Sequence, residues 1–354
     1  MKEWKFEQEF PQVPACVHQT VLETLENLNE KGNVKVKHIR KSKWLIPAAA
    51  LMATFGLTVA AAELIVWHPQ AAETFGEPAK EVQDTLTMEG VAKEQKISVT
   101  DNGITVTAIQ TMNDENVFYA LLLVTAESEI IDGSGYFGNP VPEIITKNPN
   151  AFCNVGMGFT DTPIAEPSIQ GYYEVYALKN IGEEWQEESI TISLENYSYD
   201  VFNKPKEELI DFTDCTSELI EGKWELTLPL GEMQTDNTIK MTEPVQVVMH
   251  GVPVTIEELT LTPLAIKITY SLADVEKLHQ EVYSSEEDAY LQELFLSGFI
   301  DKNGKETECG FTGSSGRHTP DGKDILLMGL GQAVDVHEIQ AILLGNEKVR
   351  VELK

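Results

Sequence analysis

Basic residues are scarce over most of this chain. Residues 63–354 carry 18 Lys and Arg against 51 Asp and Glu, a net −33. A body so charged repels a nucleic-acid backbone, whose binding requires cations, so direct nucleic-acid binding is excluded there. Cysteine is sparse, four in 354 residues, and glycine (24) and proline (16) are ordinary. Those totals exclude a disulfide-stapled, collagen-like or disordered chain. No G-x-S-x-G, H-E-x-x-H or P-loop pattern occurs, so the chemistry those spacings serve has no foothold. The expectation is a protein that is not an enzyme and that carries no cofactor and no metal.

One stretch lacks charge altogether. Trp44–Ala62, WLIPAAALMATFGLTVAAA, is an uncharged apolar run of 19 residues, which as a helix reaches ~28 Å, about one hydrocarbon core. Continuing to Trp67 places an indole at each end, as membrane interfaces favour, with Glu63 in snorkelling reach of the headgroups. Pro47 falls in the first turn, where its missing N–H costs little. Ahead of the run, Lys31, Lys35, Lys37, Arg40, Lys41 and Lys43 occur with no acid among them, and such an excess stays on the cytoplasmic side. The expected topology is therefore a single pass in the cell membrane, with residues 1–43 cytoplasmic, a transmembrane helix over 44–67, and the acidic body extracytoplasmic. Ala60-Ala61-Ala62 matches a signal-peptidase site, but a 43-residue leader is far longer than an ordinary n-region. Gly56 with Ala60, or Ala49 with Ala53, would let two such helices touch, which allows a homodimer.

Forty-three residues cannot bury a core of their own. VPACVHQTVLETLENLNEKG nevertheless reads as a punctuated helix, with Pro14 suited to its first position and Gly32 to its stop. Val17, Val21, Leu25 and Leu28 make one apolar stripe at helical spacing. Gln19, Glu23, Glu26 and Glu30 would be repelled by anionic headgroups, so a protein groove is the expected cover. Cys16, His18 and His38 fall short of the four ligands of a structural zinc site.

Residues 68–94 are polar without period-two alternation and read as a stalk or short helix. From Ile97 the pattern is that of strands: ISVTDNGITVTAIQ alternates around Asp101-Asn102-Gly103, a hairpin signal, and FYALLLVTA follows. The arrangement recurs about 148 residues later, where Gly103-Ile104-x-Val106-Thr107 aligns with Gly251-Val252-x-Val254-Thr255. The fold class expected is mainly β: two tandem β-sandwich-like domains, 95–233 and 240–354, with a helical insertion in the second around residues 273–298. Cys153, Cys215 and Cys309 lie in this body, and a Cys153–Cys215 bridge is left open by the sequence. Gly133–Gly138 matches G-x-G-x-x-G but runs into Asn139-Pro140 and offers no helix N-terminus for phosphate. Asp301-Lys302-Asn303-Gly304 lacks the twelfth-position glutamate of a calcium loop and reads as a hairpin turn. Ser314, Ser315, Arg317, His318 and Asp321 crowd into one segment, which is the signature of an exposed loop rather than of groups converging in space.

The architecture resembles family 4179 of the domains of unknown function, bacterial single-span membrane proteins. The resemblance is carried by FPQVPACVHQTVLETLENL, the basic stretch and span, DNGITVTAIQ with its following strands, and EGKWELTLPL. VTIEELTLTPLAIKITYSL is similar to a second uncharacterised outer domain. The resemblance implies an anti-sigma-factor role, in which the inner segment holds an extracytoplasmic-function sigma factor until an envelope signal releases it. The chain departs from the best-understood members in having no His-x-x-x-Cys-x-x-Cys element. The expectation that follows is an envelope sensor docking a sigma factor or another cytoplasmic regulator through Val17, Val21, Leu25 and Leu28, with an outer ligand of unknown identity. The rival expectation is a membrane-anchored surface-binding or adhesive module without a cytoplasmic partner.

Overall fold

The computed structural model describes residues 67–126, 135–138, 142–159, 169–183, 185, 188–202, 215–231, 237–282 and 292–353. The chain divides into two compact units, residues 1–59 and 60–354, and all described residues belong to the second. The helix expected between Pro14 and Gly32, the basic stretch and the apolar run lie outside the described residues.

The described chain is mainly β, in several antiparallel sheets. In its first half, β1 (Ala92–Asp101), β2 (Ile104–Asn113), β3 (Val117–Ala126), β6 (Phe152–Phe159) and β7 (Ile169–Lys179) form one sheet in the order β1-β2-β3-β7-β6. A second sheet joins β4 (Gly135–Phe137) and β5 (Glu143–Ile145) to β8 (Ser189–Phe202), which also pairs with β9 (Cys215–Pro229). Alternation explains the layering. Ile104, Val106 and Ala108 of β2 point the same way as Ile190, Ile192 and Leu194 of β8 point back, and together with Trp224 they fill one core between the sheets. Phe137 sits edge-on to Tyr173, Tyr197 and Trp224, and the Trp224 indole donates to the Ile104 carbonyl at 3.0 Å. The G-x-G-x-x-G segment thus ends in a short strand; Gly138 donates its N–H to the Glu195 and Asn196 carbonyls.

The second half repeats the plan. β10 (Ile239–Met241), β11 (Val245–Met249), β12 (Val252–Leu261), β13 (Ala265–Ser271), β16 (Phe311–His318) and β17 (Lys323–Leu330) form a sheet in which β10 and β11 together occupy the place of β1. β14 (Leu296–Asp301), β15 (Glu306–Glu308), β18 (Ile339–Leu344) and β19 (Val349–Glu352) make the opposing sheet. The match at 148 residues extends to the pairing register. Ala108 faces Leu122 and Gln110 faces Leu121, with Ile109 the extra residue of a bulge; Ile256 faces Tyr270 and Glu258 faces Thr269, with Glu257 the extra residue. Both hairpin turns place their two central residues at positive φ, Asn102 (45°) and Gly103 (84°) in one, His250 (49°) and Gly251 (79°) in the other, as the twist of a two-residue hairpin requires. The helical insertion is a helix at Leu272–Val282, whose Val275 and Leu278 enter the second core. The Asp301–Gly304 turn is a hairpin connection: Asp301 Oδ1 accepts from the Asn303 and Lys305 N–H groups.

Residues 68–94 are not a free stalk. They form two helices, α1 (Pro69–Thr74) and α2 (Lys80–Met88), which makes the insertion helix α3. Each of the first two ends on a glycine at positive φ, Gly76 and Gly90, with the paired N–H bonds of a Schellman stop. Phe75 and Leu86 are fully buried in a third core shared by Val117, Tyr119 and Leu121 of β3, Leu264 and Ala265 of the second half, and Leu327 of β17. This explains why β3 reads as a continuous apolar run: one of its faces meets the first core and the other meets the helices and the second module.

Candidate binding site

Among the residues named from sequence, Val17, Val21, Leu25, Leu28, Trp44, Lys35, Lys37, Arg40, Lys41 and Lys43 lie outside the described residues. Trp67 is described, and its placement corrects the lipid-facing expectation for that indole. It is 2% exposed, packs with α1 and α2 in the shared core, and donates Nε1–H to Thr87 Oγ1 at 3.1 Å. Protein covers the ring. No helix among the described residues is long and apolar enough to cross a membrane.

Cys153 and Cys309 are free thiols. Cys153 donates to the Lys179 carbonyl, and burial pushes the Cys309 thiol up to about 12, which leaves it an inert core group. The segment 312–322 forms β16 and its turn, and its polar groups diverge. His318 Nδ1 lies 3.0 Å from Asp324 Oδ1 across the β16–β17 ladder, whereas Arg317, its neighbour along a pleated strand, leaves from the other face. Among the described residues no cluster of three or more His, Cys, Asp or Glu is arranged to hold a metal.

The seam between the two modules is where side chains do converge, and the repeat explains how. Residues 114 and 262 are equivalent by the 148-residue offset, and both open the turn leading into their module's next strand: the Asp114 N–H donates to the Val117 carbonyl and the Thr262 N–H to the Ala265 carbonyl. The two turns meet. Asp114, 2% exposed, accepts at Oδ1 from the N–H groups of Asn116 (2.7 Å) and Val117 (2.8 Å), and at Oδ2 from Leu264 N–H across the seam (2.9 Å). Burial pushes its carboxyl up, and these bonds together with one from Thr262 pull it back toward the charged form. Nearby, Tyr176 of β7 passes over Gly329 of β17, where a Cβ would lie 1.6 Å from the phenol oxygen. Only glycine admits that ring. Arg317 reaches back across the seam and donates Nη1–H to the Ile181 carbonyl at 2.8 Å, passing Gly182, where a Cβ would stand 2.5 Å from the same nitrogen.

Beside these contacts the seam opens into a cleft of about 400 Å³. Its floor is the outer face of the second module's large sheet, with Lys267 and Thr269 on β13, Ile325 and Leu327 on β17, and Arg317 on β16. Its wall is the first module's Lys179–Glu183 turn with Asn116. Sequence reading missed it, because the lining comes from segments up to about two hundred residues apart and only the clustering of polar groups in 312–322 touched it.

No family model and no curated protein matches the chain. A solved structure described as a conserved domain protein from Bacillus anthracis is similar over 72% of this chain and 77% of that one, with a TM-score of 0.43 and 10% identity.

Proposed function

We propose that the protein is a single-pass membrane regulator of anti-sigma-factor type, with two sandwich-like modules outside the membrane that sense a signal and an inner helix that holds a sigma factor. The observation that carries the reading is the abruptness of the junction. The uncharged run ends at Ala62, and five residues later Trp67 is buried in the body. The His68 N–H is bound to Gln110 Oε1 at 2.8 Å. A span attached so directly transmits a tilt or rotation of the body, where a flexible stalk would absorb it. The apolar stripe that the sequence spaces at Val17, Val21, Leu25 and Leu28 supplies the inner contact. The cleft at the module seam is where a signal molecule acts, since a ligand wedged between two β modules bears on the helices that lead to the span.

The test is capture of sigma factors by the full-length chain from solubilised membranes. Val21→Glu with Leu25→Glu should reduce capture at least tenfold while leaving the outer unit's thermal midpoint unchanged. Undiminished capture by that variant, or none by the intact chain, refutes the regulatory role and favours a surface-binding protein.

A further inference from the structure

Cations are few in the outer body, and several of those described are spent on local carboxylates: Lys80 on Asp84, Lys96 on Glu94, Lys223 on Glu195 and Glu225, Lys302 on Glu338, Lys348 on Glu306 and Glu308, Arg350 on Glu352. Two of the cations that line the cleft, Lys267 and Arg317, depart from this pattern. Lys179, Lys267 and Arg317 line one space of about 400 Å³. Among the described residues the Lys267 side chain takes part in no hydrogen bond or ion pair, and Arg317 spends one N–H on the Ile181 carbonyl and pairs with no carboxylate. The two acids in the lining are already engaged. Glu258 lies 3.6 Å from Lys323, and Glu183 Oε2 accepts from Asn148 Nδ2 at 3.0 Å.

We infer that this cleft binds a small organic anion through a carboxylate or phosphate group. The guanidinium of Arg317 is fixed by its bond to Ile181 and presents its remaining donors in a planar fork suited to an oxyanion. Lys267 supplies an uncommitted ammonium from the sheet, and Lys179 lines the cleft from the opposite module. Thr269 and Asn116 offer polar contacts beside them, and Ile325 and Leu327 give an apolar floor for a short carbon skeleton. The volume falls in the range of small-molecule sites. A body of net −33 repels anions in general, so a local reversal of sign selects for those small enough to enter the cleft. The inference rests on the sensing role proposed above, and it names the ligand class of that site.

Isothermal titration of the full-length chain in detergent, with succinate in one arm and inorganic phosphate in the other at ionic strength held constant with sodium chloride, tests it. Saturable binding with a dissociation constant of about 1 mM or tighter is expected in at least one arm, and the arm that saturates identifies the anion type. Lys267→Gln, a change that removes no side-chain hydrogen bond or ion pair among the described residues, should weaken that binding at least tenfold. Arg317→Lys should weaken it less than Arg317→Gln does, and Lys302→Gln, on an exposed turn, should leave it unchanged. Absence of saturation in both arms overturns the proposal, and so does saturation that Lys267→Gln leaves intact. Either failure is distinguishable from failure of the regulatory reading, because sigma-factor capture is scored through Val21 and Leu25 with no anion added.

Discussion

Asp114 does more at the seam than any other single residue, because one carboxylate satisfies N–H groups of both modules. Asp114→Asn keeps the shape but turns one acceptor into a donor facing an N–H. We expect a loss of about 2–4 kcal/mol, the cost of a buried amide left unsatisfied beside lost charge-assisted bonds; urea denaturation measures it, and a loss under about 0.5 kcal/mol would show that water replaces the side chain there. Glu293 makes a pH-dependent contribution. Burial pushes its carboxyl up, but bonds from His250 and Asn346 outweigh burial and hold it below its ordinary value of 4.5. A carboxyl depressed in the folded state stabilises fully above the unfolded value and loses that stabilisation as pH falls through the depressed one. Unfolding free energy measured from pH 6 downward should therefore drop less steeply in Glu293→Gln than in the parent. Parallel curves would count against the assignment.

Helices α1 and α2 are the elements whose role sequence reading misjudged. Their composition is polar, yet Pro69 at the first position of α1, the stops at Gly76 and Gly90, and the isolated apolar Phe75 and Leu86 mark two short capped helices. What could not be read locally is the surface that covers Phe75 and Leu86, because it is assembled from β3, β13 and β17. Phe75→Ala should cost about 3–5 kcal/mol, the range for emptying a fully buried aromatic site. The hairpins were legible in advance: Asn102-Gly103 is the strongest two-residue turn signal, and Gly251 repeats it. Gly103→Ala should destabilise by about 1–2 kcal/mol from the positive φ alone, as read by thermal unfolding. A neutral result would mean that the turn relaxes. The bulges at Ile109 and Glu257 left no sequence mark, since an extra residue in a strand looks like any other until its partner is known.

At the scale of the whole molecule, the two modules share one core, and this fixes how the β-rich unit unfolds. Calorimetry of the parent should show a single transition for residues 67–353, since neither module can lose its seam face without exposing Tyr119, Leu121, Leu264 and Leu327. Gly329→Ala drives a methyl group into Tyr176 and should split that transition in two while each module keeps its own core. A single, merely lowered peak in that variant would place the coupling elsewhere. Relief of the split by a second change, Tyr176→Ala, would tie the effect to this contact and not to β17 as a strand.

Sequence alone determined the β character of the body, its duplication at 148 residues, the hairpins and the helical insertion, because alternation, turn chemistry and repetition are local patterns written along the chain. It also set the uncharged run and the uneven charge on which the membrane reading rests. Tertiary structure decided that residues 68–94 are an ordered clasp, that Trp67 is enclosed by protein, that Cys153 is a free thiol, and that Lys179, Lys267 and Arg317 meet in one cleft. Those facts depend on which surfaces of distant strands come together, and the energy that brings them together, burial of a core shared by two modules, is a property of no segment by itself.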